Sequence, residues 1–286
     1  VYLRVVANTG AAREVRYNVL KILAKWPPAN GASALLPILN GDPDLQPIAF
    51  NGLAAEAMGR LKEAKAVPGL IKCLWMDDHL GRNSVAQCRM ALNRIGPAAS
   101  KGPLLETLQR KNREVEKLAR KHRFGKGGLI EAKTAELLGD MPTPDAVEPL
   151  IQALTQQDDM PVSIQQDAKK AQAFVMSGVQ RVISTANALA VIGDARAVPP
   201  LLEVAGSKDR PLEHKLAGIQ QLAFLGSQDA VPGMLKLLDN EPHPRDPVSQ
   251  GFRVQIALNT ANLIQKDNKK FGAFKKKVTG IKATID

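Results

Sequence analysis

The residues best suited to chemistry in this 286-residue chain lie in a basic stretch, RKNREVEKLARKHRFGKGG, from Arg110 to Gly128. If the stretch is helical, four of its cations recur at i, i+4, i+7 and i+8 and form one contiguous stripe. The stripe consists of Arg113, Lys117, Arg120 and Lys121. Such a stripe can bind phosphates or an acidic protein surface. The alternative is a solvated helix face on which Glu114 and Glu116 offset part of the charge.

A second basic cluster, KKFGAFKKK, runs from Lys269 to Lys277. Cations interleaved with Phe271 and Phe274 can bind single strands or lipid head groups. The same phenylalanine spacing is also typical of the buried face of a capping helix. The whole chain has a formal net charge of +11, which permits an acidic protein, nucleic acid or an anionic membrane surface as partner.

Local catalytic signatures are missing from the sequence. It contains no GxSxG, no P-loop, no GxGxxG after a strand and no HExxH. The tripeptide Asp77-Asp78-His79 offers metal-ligating atoms, but it also reads as a polar loop with helix-capping residues. We therefore expect a protein that is not an enzyme and that has no cofactor and no metal site.

The chain repeats itself. The segments Ala54–Leu74, Ala186–Gly206 and Gln220–Leu238 align on an Ala-Val-Pro triplet, and weaker copies lie between them. An anchor leucine, replaced once by methionine, recurs with a base spacing of about 34 residues and two longer intervals, as in a helical solenoid. The anchors are Leu35, Leu70, Leu104, Leu150, Leu201 and Met234.

Each repeat is predicted to be a pair of helices. The first helix carries apolar residues at helical spacing and ends at a glycine such as Gly193 or Gly226, where a positive φ is tolerated. The proline after Ala-Val lies in the first turn of the second helix, where its missing N–H has no intrahelical partner to lose. One pair cannot bury its apolar stripe alone, so the pairs must stack.

We count about seven such pairs in a single solenoid spanning 1–286, without a domain boundary. The first helices are predicted near 11–25, 47–60, 83–95, 127–139, 168–192, 211–225 and 247–265. Insertions are predicted near 110–126, 157–180 and 240–250.

This pattern resembles the HEAT-repeat family, in particular the bacterial HEAT-like or PBS-lyase-type repeats. The resemblance is carried by the turns Ile192-Gly193-Asp194, Leu138-Gly139-Asp140 and Leu225-Gly226-Ser227, each followed by AVPxL(L/I)xxL or a variant of it. It covers about Ala11 to Gly280 and implies an all-α fold, a right-handed α-solenoid. The copy at Leu61-Lys62 departs from the pattern because it lacks the glycine.

Three kinds of enzyme share such repeats, and none is favoured by the residues. The deoxyhypusine hydroxylase type repeats a His-Glu dipeptide for a di-iron site, whereas this chain has only the reversed Glu213-His214. HEAT-like DNA glycosylases use aromatic residues and an acidic residue on a basic face. Trp75 and Asp77 are only weakly similar to that set. Bilin lyases share the repeat type, but no residue here is specific for a bilin. The repeats, together with the absence of a reactive constellation of residues, predict a non-enzymatic scaffold.

In such solenoids the second helices line the concave wall, where we expect a protein or peptide partner to bind. The predicted contact residues are Lys72, Trp75, Glu106, Gln109, Gln152, Glu203 and Lys236. Trp75 is either a contact hot spot or a plug between repeats. The alternative function is binding of nucleic acid or an anionic surface through the stripe in 110–126 and the Lys-rich C-terminal end.

Two features bear on the cellular compartment. No apolar run approaches the length of a membrane span, and the chain starts at Val1 without methionine or a signal-like segment, so we expect its N-terminus to be truncated. Cys73 and Cys88 are predicted to lie on neighbouring helices, either as a disulfide or as two small buried apolar residues. The compartment and the oligomeric state stay open.

Overall fold

A computed structural model of the chain describes residues 1–122, 127–157, 159–240 and 247–264. Within these residues all regular structure is helical, apart from one isolated bridge between Asp77 and Asn83, and there is no strand. The chain divides into two compact units, Val1–Gly125 and Lys126–Asp286. The predicted all-α fold of HEAT-like helical pairs is confirmed.

The described part of unit 1 contains eight α-helices. They are α1 Tyr2–Ala7, α2 Arg13–Lys25, α3 Ala32–Leu39, α4 Ile48–Leu61, α5 Val67–Cys73, α6 Val85–Ile95, α7 Pro97–Leu108 and α8 Arg113–His122. The first helices α2, α4 and α6 pack side by side, and the second helices α3, α5 and α7 form a parallel row of contacts.

The described part of unit 2 contains a further eight. They are α9 Leu129–Asp140, α10 Val147–Thr155, α11 Val162–Gln165, α12 Ala168–Ile192, α13 Val198–Gly206, α14 Leu212–Leu225, α15 Ala230–Asn240 and α16 Pro247–Ile264. Here α9, α12, α14 and α16 are first helices in mutual contact, and α10, α13 and α15 are second helices. All seven predicted first helices agree with the structure to within two residues at each end.

The anchor positions form the core of the stack. All six anchors, from Leu35 to Met234, are buried. Small residues let the first helices approach closely: a Cβ built on Gly59 would lie 2.7 Å from the Cα of Ala91 on the next first helix. Burial of one apolar stripe per helix thus holds the repeats together.

Three of the connections within pairs follow a common plan. A 3-10 turn at Ala64–Ala66, Pro144–Ala146 or Ala195–Ala197 leads directly into the second helix. Before the third of these turns, Gly193 has φ +75°, as the sequence predicts for a helix-ending glycine. Hydrogen bonds from Arg196 to the carboxylate of Asp194 lower the pKa of Asp194 to about 2 and fix the turn.

Two sequence interpretations are corrected here. Leu138-Gly139-Asp140 is not a turn, because α9 continues through Asp140 and the chain turns only from Met141 onwards. The predicted insertion at 157–180 is distinct from the first helix of its repeat only up to Asp167. From Ala168 onwards its residues belong to α12, which runs unbroken to Ile192. The loop predicted near 240–250 lies partly outside the described residues, since 241–246 are not described.

Helix α12 contradicts the expectation that no segment of the sequence is long and apolar enough to cross a membrane. By length and composition alone, Ala168–Ile192 is one helix that could do so. From Val179 to Ala190, however, most of its side chains are buried against α9, α10 and α14. These contacts account for its apolar character as a core helix of the repeat.

Cys73 and Cys88 are joined as a disulfide between α5 and α6. Both cysteines are completely buried. Of the two alternatives left open by the sequence, the structure has the covalent one.

Candidate partner-binding groove

A groove opens in unit 1 where the ends of two second helices meet α8. Its cavity has a volume of about 180 Å³. We call it the unit 1 groove, and its lining residues are Asp42, Pro43, Asp44, Lys72, Met76, Asp77, Glu114, Lys117 and Leu118. It brings Lys72 of the predicted concave wall together with Lys117 of the predicted basic stripe.

A buried asparagine positions the loop that supplies Asp42 and Asp44. The amide nitrogen of Asn51 on α4 donates to the carbonyl oxygens of Leu39 at 2.9 Å and Gly41 at 2.8 Å. These carbonyls lie in the last residue of α3 and just after it, where carbonyls lack intrahelical partners, so Asn51 caps that helix from a neighbouring one. The loop is thereby held in one conformation at the groove.

A second loop is fixed by Asp78. Its carboxylate accepts hydrogen bonds from the backbone N–H groups of Leu80 and Arg82, each at 2.9 Å, and from the Arg82 guanidinium at 2.7 Å. Burial raises the pKa of Asp78, but these hydrogen bonds outweigh burial and hold its pKa below the usual range. The carboxylate therefore closes the loop and leaves its neighbour Asp77 exposed at the groove.

Helix α8 forms the third wall. Val115 and Ala119 are buried on one side, while Arg113, Lys117 and Arg120 are exposed on the other. The stretch is thus helical as the stripe requires. Arg110 binds Glu116 through two nitrogens, one of them at 3.0 Å, which ties the preceding turn to the helix.

The charges of the groove are mixed in sign. Asp42, Asp44, Asp77 and Glu114 contribute four carboxylates, and Lys72 and Lys117 contribute two ammonium groups. Among the described residues, Lys72, Lys117, Asp77 and Glu114 form no salt bridge. Open charges of both signs suit selective polar contacts with a protein segment better than a uniform phosphate track.

Trp75 is not at this surface. Its side chain is only 5% exposed, between the buried Leu74 and Met76, so it cannot present a face to a partner. The prediction of Trp75 as a contact residue is therefore wrong, and the alternative that it plugs a gap between repeats stays a prediction.

The other predicted contact residues are accessible but are not gathered at one site. Glu106 and Gln109 are exposed on and just after α7, outside the groove lining. In unit 2, Gln152, Glu203 and Lys236 are exposed on α10, α13 and α15. As contact residues these positions remain predictions.

Parts of the predicted anion-binding surface cannot be placed. The side chain of Lys121 and the cluster Lys269 to Lys277 lie outside the described residues.

The sequence analysis did not predict the groove residues Asp42, Asp44 and Met76, whose only signal was their position just beyond second helices. In the described part of the chain, no three or more His, Cys, Asp or Glu side chains are grouped as metal ligands, and Asp78 of the candidate tripeptide closes a loop instead.

Comparison with known proteins identifies the repeats. The family model described as PBS lyase HEAT-like repeat matches residues 132–156 and 183–207. These segments cover α9 with α10, and the second half of α12 with α13. No curated protein matches the sequence.

Among the solved structures that match this chain are the following two. The complex of CpcE and CpcF of phycocyanin lyase from Nostoc sp. is 15% identical, with 98% of this chain and 93% of that chain covered and a TM-score of 0.37. Human deoxyhypusine hydroxylase in complex with glycerol is 11% identical, with 91% and 94% covered and a TM-score of 0.33. Likeness at this level carries no argument about activity.

The family match contradicts the expectation that the chain is not an enzyme, because the repeat model is named for a lyase. That expectation relied on missing local motifs. A repeat protein can assemble a reactive site from side chains of different repeats, so missing motifs do not exclude one. Residues 132–156 and 183–207, each a helical pair with a buried anchor leucine, are thus similar to the PBS lyase HEAT-like repeat.

Proposed function

We propose that this chain is a protein-binding repeat scaffold and that the unit 1 groove binds a charged, extended segment of its partner. The observation that carries the proposal is the set of open charges in the groove. Lys72, Lys117, Asp77 and Glu114 line one cavity without salt bridges among the described residues. Helices α5 and α8 and the loop closed by Asp78 already fix the backbone at these residues, so little backbone entropy is lost when they bind.

The groove also has an apolar component that favours a peptide over a free ion. Met76 is buried at the end of α5 and Leu118 is half-buried on α8, and both line the cavity. A peptide can place an apolar side chain between these residues while its charged neighbours meet the lysines and carboxylates.

The test is affinity capture of the tagged chain from its native cells, followed by quantitative mass spectrometry. The test variant carries Lys72→Glu with Lys117→Glu. The matched control carries Lys65→Glu with Lys208→Glu, which reverses two exposed lysines away from the groove. We expect the recovered partner to fall by about ten-fold or more for the groove variant and to be unchanged for the control. Equal recovery from both variants would exclude the groove.

A lyase activity is the second candidate, favoured by the description of the matched repeats. It is tested by incubating the purified chain with a bilin and apo-phycocyanin and measuring covalent attachment by absorbance and mass spectrometry. Attachment above the rate without the chain supports this candidate, and no increase excludes it for that substrate pair. The alternative of nucleic-acid binding has no support from the comparisons.

A further inference from the structure

The disulfide of unit 1 encloses part of the unit 1 groove. Cys73 is the last residue of α5 and Cys88 lies within α6, so the bridge spans the connection 74–84, which we call the closed segment. Three groove residues lie within the closed segment or directly before Cys73, namely Lys72, Met76 and Asp77. The bridge therefore joins the two helices between which one wall of the groove is formed.

Hydrogen bonds inside the closed segment fix its shape. The carboxylate of Asp78 accepts from the backbone N–H groups of Leu80 and Arg82, and Asp77 and Asn83 form an isolated bridge. These bonds join residues of the segment to each other, so they do not hold it against α5. The disulfide holds it there, because it ties the end of α5 to α6.

The far end of the closed segment is attached to α4 as well. The buried hydroxyl of Ser84 donates to the carbonyl oxygen of Ile48 at 2.9 Å. Breaking the disulfide leaves this hydrogen bond in place. The part of the segment whose position depends on the disulfide is therefore the part that follows α5, which carries Met76 and Asp77.

Reduction gives the end of α5 freedom to move. A dithiol supplies two electrons and two protons: the S–S bond breaks, both cysteines become thiols, and the dithiol is oxidised to its own disulfide. Two thiols in van der Waals contact need more room than a bonded pair, and both side chains are completely buried, so the packing around them must yield. Helix α5 has seven residues and ends at Cys73, whereas α6 continues beyond Cys88, so we expect the end of α5 to yield first.

We propose that the Cys73–Cys88 bridge is a redox-sensitive clasp that keeps the unit 1 groove assembled. The oxidised chain holds the three groove residues in place, and the reduced chain keeps its helices but releases the closed segment. The helices persist because burial of the unit 1 anchors holds the stack together without the bridge. That the released wall belongs to a binding site rests on the proposed function.

Burial of the two sulfurs determines when the clasp responds. Neither cysteine is exposed, so an external thiol reaches the S–S bond only when the end of α5 opens. The oxidised state is thus long-lived in the folded chain. The state of the groove consequently depends on whether the chain folds under oxidising or reducing conditions.

The closed segment contains its own optical reporter. Trp75 lies within the segment and is 5% exposed, whereas Trp26, the other tryptophan, is 71% exposed at the end of α2. In a Trp26→Phe variant Trp75 is the sole tryptophan. Quenching of its fluorescence by acrylamide then measures release of the segment.

The experiment compares this variant, as the full chain, in two redox states. One sample is reduced with dithiothreitol in urea and refolded with the reductant present, and the matched control passes through the same urea steps without reductant. We expect the same helical circular dichroism in both samples, and acrylamide quenching of Trp75 raised about three-fold or more in the reduced one. Hydrogen exchange at 74–84 should be about ten-fold faster after reduction, and exchange in α14 of unit 2 should be unchanged.

The outcomes separate the clasp from the proposed function of the groove. A reduced chain whose Trp75 is protected as in the oxidised control overturns the clasp. Loss of the helical spectrum on reduction also overturns it, because the bridge would then hold the whole unit rather than one segment. A reduced chain that releases the segment supports the clasp, and if it still captures the partner with unchanged recovery, the clasp stands and the groove is excluded as the binding site.

Discussion

Asn51 on α4 donates a hydrogen bond of 2.8 Å from its buried side-chain amide to the carbonyl oxygen of Gly41. The same nitrogen also reaches the carbonyl oxygens of Ile38 and Leu39. One side chain thus satisfies the end of α3 and holds the loop that brings two carboxylates to the unit 1 groove.

The first prediction is that Asn51→Leu lowers the free energy of unfolding by about 2–3 kcal/mol, because the carbonyl oxygens of Leu39 and Gly41 lose the donor that the Asn51 amide supplies. Hydrogen exchange should show faster exchange in the loop at 41–46 than in the wild type. The control is Asn30→Ala at an exposed loop position of the same unit, expected to change stability by less than about 0.5 kcal/mol. An unchanged loop in Asn51→Leu would show that this residue does not position the groove.

The repeats could be predicted from the sequence because their signals are local. Burial of Leu70 or Leu201 follows from apolar spacing within a single helix. Lys62 shows the limit of the glycine signal: it takes φ +51° where Gly193 has φ +75° in the equivalent turn. A lysine can adopt this conformation at a modest cost, so the turn is kept without the glycine.

The groove could not be predicted because it joins segments from different repeats. Asp42 follows α3, Asp77 follows α5 and Lys117 lies on the inserted α8. Their proximity depends on how the repeats stack and on the conformation of two loops, which no local spacing encodes. Trp75 was misplaced for the same reason, since its burial depends on packing around the end of α5.

The second prediction concerns the disulfide. It closes a loop with a sequence separation of 15 residues, and a bridge of that size stabilises a fold by about 3 kcal/mol. The double variant Cys73→Ala, Cys88→Ala should therefore unfold at a lower urea concentration than the oxidised wild type. Dithiothreitol should lower the stability of the wild type and leave the double variant unaffected. Two titratable thiols in unreduced, denatured protein would contradict the bridge.

The third prediction compares two glycines that lie within helices. A Cβ on Gly59 would lie 2.7 Å from Ala91 Cα and 2.9 Å from its Cβ, whereas a Cβ on Gly251 of α16 meets no atom within 4 Å apart from its chain neighbours. Gly59→Ala should lower stability by about 1–3 kcal/mol, because α4 and α6 must move apart. Gly251→Ala should raise it by about 0.5–1 kcal/mol, because alanine loses less backbone entropy in a helix. Urea unfolding of both variants measures the difference, and a shift of the same sign in both would refute the close packing of the first helices.

The fourth prediction is a pH dependence that originates at His214 on α14. Neither ring nitrogen of this buried histidine has a hydrogen-bond partner among the described residues. Burial lowers the pKa of His214 to about 4, and the positive charges of Arg210 and Arg181 lower it as well, against a smaller opposing effect of Glu213.

Because the pKa of His214 in the folded chain lies below the unfolded value of 6.5, the unfolded state binds the proton first as pH falls. The stabilisation is complete above pH 6.5 and is lost progressively between pH 6.5 and 4, by at most about 3 kcal/mol. Urea unfolding at intervals across this range should show the decline. His214→Leu should remove most of that slope while leaving the acid unfolding below pH 4, where carboxylates such as Asp194 titrate. A slope that persists in His214→Leu would assign the effect to other groups.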